Sequence, residues 1–229
     1  MKTIDEEKNV QDVVNNEDKI ELNMSVSDFD MSVAEIDSTE DIDMKLVSYI
    51  EKEIRNSFEY RSYVQYLKDE LDLTKCALLP SIDVKTTPVT LEFHHFPLTL
   101  FDITETIAKS MVHKAKSETV SCFNIAEEVV LEHFRNNVGL VPLTETLHQM
   151  AHNNAIIVPI NKVNGNYKEF INKYKAFIEH DKLDRITMME AYNDSDDAQQ
   201  YNNDKLKKRI VNYNIEYRKN KKEEDENDV

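Results

Sequence analysis

The sequence predicts an α+β fold that is mainly helical, and three observations predict it. Apolar residues recur at three- and four-residue spacing along much of 43–217. Two short apolar runs, 89–94 and 140–143, have the length and composition of strands. Only 2 of 229 residues are Gly and 5 are Pro, so little interrupts the helical stretches.

Charge divides the chain. Residues 1–44 carry 14 Asp/Glu against 3 Lys/Arg, whereas 45–178 carry 16 against 15, so most of the net charge of −16 belongs to the ends. The acidic segment 1–42 has too few large apolar residues to offset the entropy of ordering and is expected to be disordered, with docking onto a basic protein partner as one use for it. Residues 43–215 are expected to form the domain, and 216–229 a charged disordered tail. No cationic leader precedes an apolar stretch and no apolar run approaches the roughly 20 residues that span a bilayer, so a cytoplasmic protein without a membrane role is expected. Cys76 and Cys122 lack any paired spacing and are read as reduced, packed thiols.

Leu46, Ile50, Ile54, Phe58, Val64, Leu67 and Leu71 give one long helix over 43–73, or two with a break near Glu59. Pro80 and Pro88 bracket an extended piece leading into the strand 89–94, with His94 and His95 at its exit. Pro97 turns the chain into a helix from Thr99 to about Lys116, and another runs from Asn124 to Phe134. Gly139 suggests a backbone conformation that needs glycine. Leu140–Leu143 forms a second strand, Thr144 an N-cap, and Glu145–Asn153 a helix carrying His148 and His152. A turn at Asn164-Gly165-Asn166 precedes helices over 167–178, about 181–192 and 205–217.

Four of the seven histidines thus fall in two groups. On a helix, residues four apart share a face with Cβ atoms about 5 to 6 Å apart, so His148 and His152 can address one ion. On a strand, neighbours point to opposite faces, so one member of the His94–His95 pair can bind an ion while the other does something else. An ion on His94, His148 and His152 keeps positions for water and a phosphate oxygen. A second histidine, neutral near pH 7, could take a proton from the attacking water. His113, His133 and His180 have no such company and read as surface or packing residues.

The pair His94-His95, then Leu140-Val141-Pro142-Leu143 and the helix with His148 and His152, resembles the HNH superfamily of ββα-metal (His-Me finger) nucleases. The resemblance covers residues 89–153. It implies a small ββα-metal finger with a helical insertion between its two strands, His94, His148 and His152 as metal ligands, and His95 as general base. Gly139 stands where the family carries its central Asn, and Asn136 and Asn137 lie just upstream; Asn137 and Gly139 are therefore the residues expected to support the loop. The implied activity is metal-dependent endonuclease cleavage of nucleic acid, with DNA favoured. Three imidazoles suit Zn, Ni or Mn, and Mg also remains open. Lys205, Lys207, Lys208 and Arg209, together with Arg218, Lys219, Lys221 and Lys222, form the densest basic stretches for phosphates, with pairing to the acidic ends as the other reading. The competing class is a non-catalytic interaction or scaffold protein that keeps the finger and recruits a partner through its acidic tails. The glycine-poor, Asn- and Lys-rich style suits a small phage or bacterial protein, placing it in the host cytoplasm if phage-encoded.

Overall fold

The computed structural model describes residues 35–36, 42–115 and 119–207. Within them the fold is mainly helical with a small two-stranded sheet, as the sequence predicts, and a second two-stranded sheet that it does not. The rest of the acidic segment 1–42, the tail 216–229, the helical pattern beyond 207, and Lys208 and Arg209 lie outside the described residues. Strand β1 (Glu35–Ile36), inside the segment expected to lack structure, pairs antiparallel with β3 (Val120–Ser121).

The long N-terminal periodicity resolves into two helices, α1 (Met44–Asn56) and α2 (Phe58–Asp69). The break falls at Ser57, whose extended backbone ends α1 while its hydroxyl oxygen accepts from Tyr60 N–H, and whose O–H donates to the Ile54 carbonyl. One serine therefore closes one helix and caps the next. Val47, Ile50 and Ile54 form the buried stripe of α1. It packs on α3 (Leu100–Ala115) and α4 (Cys122–Phe134). Full burial of each such aliphatic side chain contributes about 1.5 to 3 kcal/mol. Cys76 and Cys122 are both buried.

The stretch between Pro80 and Pro88 differs from the extended reading. Asp83 bridges to Lys75, and its carboxylate and carbonyl accept from the N–H groups of Lys85 and Thr86, folding the segment into turns.

Strand β2 (Leu91–His95) pairs antiparallel with β4 (Leu140–Thr144), with Glu92 opposite Leu143, His94 opposite Val141 and His95 opposite Leu140. Helix α5 (Glu145–His152) follows β4 directly, its first turn capped by Thr144. The two strands and α5 form one ββα unit, and the insertion between the strands carries α3, β3 and α4. Val141, Leu143, Leu147 and Met150 join Cys76, Ile156 and Val158 in a single apolar cluster beneath it.

C-terminal to this unit, α6 (Tyr167–Tyr174) continues into a 3-10 turn, Lys175–Phe177. Helix α7 (His180–Tyr192) follows, and a further helix, α8, covers 196–207. The apolar spacing at 167–178 is shared by both helix types, which is why the turn was not separable in sequence. Lys182 on α7 reaches Asp102 at 2.9 Å and Glu105 at 2.6 Å on α3. Asn202 on α8 exchanges hydrogen bonds with the backbone of Ile157, so α8 is tied to the segment that follows the ββα unit.

Gly139 acts differently from the sequence reading. Gly139 does not need a left-handed backbone; it needs the absence of a Cβ, which would sit 2.1 Å from the Phe96 carbonyl oxygen and 2.9 Å from Val163. Phe96 N–H donates to the Gly139 carbonyl at 3.0 Å, extending the ladder past His95. The left-handed residue that ends α4 is Asn136, at φ 60°. With it, Asn136 N–H donates to the His133 carbonyl and Asn137 N–H to that of Glu132, the two bonds of a Schellman motif. Gly165, at φ 96°, is the glycine with positive φ. Gly139→Ala is expected to cost roughly 3 kcal/mol, because the obstacle is backbone on the partner strand, and overpacking at a rigid site lies at the upper end of its usual range. Thermal unfolding checks this, and a melting temperature equal to that of the wild type would contradict it.

Candidate metal centre

Strand pleating places Glu92 and His94, two residues apart, on one face of β2, and the helical repeat places His148 and His152 on one face of α5. The register of β2 on β4, and the direct run of β4 into α5, bring these faces together. Ligand atoms of His94, His148 and His152 all lie within 4.8 Å of one another. The ring centroids are 5.1 Å (94–148), 4.8 Å (94–152) and 4.5 Å (148–152) apart.

Finer details fit an ion. The Nε2 atoms of His148 and His152 are 3.2 Å apart. Two nitrogens on a tetrahedral ion at about 2.0 to 2.1 Å stand about 3.3 Å apart, so the pair already spans one edge of that polyhedron. His94 Nδ1 is buried and has no hydrogen-bond partner. A buried ring nitrogen without a partner carries a desolvation cost that ligation of an ion would offset. His94 is buried, His148 half-buried and His152 exposed, so the site opens to solvent on the α5 side.

Electrostatics favour neutral imidazoles. Burial, followed by His148, His152 and Arg55, lowers the His94 pKa to about 4. Burial also lowers that of His148, outweighing the opposing effect of the Glu92 carboxylate. Neutral rings are the form that ligates a metal.

His95 is elsewhere. It points to the opposite face of β2, where it is 5% exposed, and its Nε2 lies 3.0 Å from His133 Nε2. Tyr60 stacks on its ring. His133 Nδ1 lies 2.7 Å from the Val129 carbonyl, which can only accept, so Nδ1 carries the proton and His133 Nε2 accepts from His95. Burial foremost holds the pKa of His133 down to about 4, and burial followed by His133 holds that of His95 well below its ordinary value. The general-base position expected for His95 is thus a core position, because alternation along a regular strand carries it away from the three ligands.

The supporting residues are displaced as well. The Asn137 side chain donates to the Glu132 carboxylate at 2.9 Å, closing the end of α4 rather than bracing a loop over His95. Gly139 admits the Phe96 carbonyl, as described above. Lys205 and Lys207 are exposed on α8, where Lys205 stands over the Tyr201 ring at 5.1 Å.

The sequence matches the family described as Bacteriophage G278-like virion protein over residues 1–221. The chain belongs to that family. The phage character suggested by composition agrees with this. No curated protein and no solved structure matches the chain. Among the described residues of this virion protein, no helix is long and apolar enough to cross a membrane.

One residue of the virion protein's site escaped the sequence reading. Glu92 lies within contact of His148, and its signal was available, since residues i and i+2 of a strand share a face.

Proposed function

We propose that this virion protein holds a divalent transition-metal ion on His94, His148 and His152 and hydrolyses phosphodiester bonds of nucleic acid. DNA is the preferred substrate, and the host cytoplasm is the place of synthesis. The observation that carries the reading is the convergence of the three imidazoles on a strand–strand–helix unit, with His152 open to solvent. A divalent ion on three neutral histidines supplies Lewis acidity toward a phosphate oxygen and lowers the pKa of water toward about 7. The chain's own part is to fix the three rings from two rigid elements. Water activation is not given to His95, which this reading keeps in the core with His133.

A second reading has its own support in the burial of His95. Without a histidine base beside the cluster, the finger would be a metal-stabilised scaffold within the particle that recruits partners through its acidic tails. Cleavage of plasmid, single-stranded DNA and RNA in the presence of Mg, Mn, Ni or Zn separates the two. The nuclease reading expects ion-dependent cleavage that falls at least about 100-fold in His148→Ala and persists per folded molecule in His95→Gln. Ion binding without cleavage of any of these polymers would leave the scaffold reading and overturn the nuclease.

A further inference from the structure

We infer that Glu92 is a positioning residue that fixes which nitrogen His148 presents to the ion. The inference rests on the metal centre proposed above. Glu92 Oε2 lies 2.5 Å from His148 Nδ1, while His148 Nε2 faces His152 Nε2 at 3.2 Å. A carboxylate oxygen accepts, so the contact holds the proton on Nδ1 and leaves the Nε2 lone pair directed into the cluster. A neutral imidazole has only these two arrangements, and the wrong one would point an N–H at the ion. The same hydrogen bond stops rotation of the ring and increases the basicity of Nε2.

The geometry gives Glu92 this task and not a ligand's. The group able to hold an ion comprises the three histidines, and the Glu92 carboxylate engages the far nitrogen of one of them. Glu92 arrives there through the strand. It is held opposite Leu143 in the β2–β4 ladder, two residues before His94 on the same face, and α5 packs against β2. Its side chain remains 40% exposed while that of His148 is 19% exposed. Little of the fold therefore depends on the carboxylate, and substitutions at Glu92 address the ring it orients.

Two measurements on the full chain test this. In long-range proton–nitrogen spectra of the metal-free protein near pH 7.5, the wild type is expected to show His148 as the Nδ1–H tautomer and Glu92→Ala to show a mixture of both. In zinc titrations against a chromophoric chelator, Glu92→Ala is expected to bind 10- to 100-fold more weakly than the wild type, the usual effect of losing an outer-sphere partner. Glu92→Gln, whose amide oxygen still accepts from Nδ1–H, is expected to recover most of that loss. Unchanged affinity and tautomer in Glu92→Ala would overturn the assignment. So would a Glu92→Gln variant as weak as Glu92→Ala, since charge or direct ligation would then be the cause. A wild type that binds no zinc but retains the Glu92-dependent tautomer would overturn the metal centre alone.

Discussion

Glu132→Ala is expected to lower folding stability by about 1.5 to 3 kcal/mol, the usual worth of hydrogen bonds to a charged group, since the cations left behind, Arg135 and Lys173, are partly exposed. The Glu132 side chain is fully buried yet charged. One oxygen accepts from Arg135 at 2.8 Å and from Lys173 at 2.5 Å, and the other from Asn137 at 2.9 Å. Burial raises its pKa, but the hydrogen bonds from Lys173, Asn137 and Arg135 and the Lys173 charge outweigh burial, so the net shift is downward. Stability from the ionised form is therefore complete at neutral pH and is lost only as the pH falls through that depressed value. Removing the carboxylate strips Lys173 of a partner joining α6 to α4, and it also strips the Asn137 side chain that closes the Schellman end of α4. Urea denaturation at pH 7 measures the cost. A loss below about 1 kcal/mol, the value of an exposed pair, would contradict the account.

Metal binding should contribute an effect of comparable size. An ion that binds only the folded chain stabilises it by about 2.7 kcal/mol at 100 times its dissociation constant. Zinc or nickel is thus expected to raise the unfolding temperature of the wild type, and a chelator to return it. His148→Ala and His152→Ala should abolish the increment while leaving the metal-free protein nearly unchanged, because neither side chain is fully buried. His94→Ala is a poorer test, since His94 is buried and its loss also opens a cavity. An equal increment in the wild type and in His148→Ala would show that the ion sits elsewhere.

What the sequence disclosed follows the range of the forces involved. Helix existence was legible because Val47, Ile50 and Ile54, or Leu147 and Met150, express a local periodicity. The trio was legible because both of its parts are local: a strand end and an i, i+4 pair. What joins them is the β2–β4 register, reached here only through the resemblance. The role of His95 was not legible, because it depends on how Tyr60 and His133, from two other helices, close over the far face of β2. The misreading of Gly139 has the same origin. Its requirement comes from the Phe96 carbonyl across the ladder and not from its own φ, whereas the conformational need lay three residues earlier at Asn136, where asparagine satisfied it.

The most direct test of the central claim is titration of the chelator-treated chain with Co²⁺, followed by its visible absorption, in the wild type and in the His148→Ala/His152→Ala double variant. The account predicts one ion per wild-type chain with the intense bands of four-coordinate cobalt, displaced by zinc, and no such spectrum in the double variant. A wild type that develops no bands, or a double variant that develops the same ones, would contradict it.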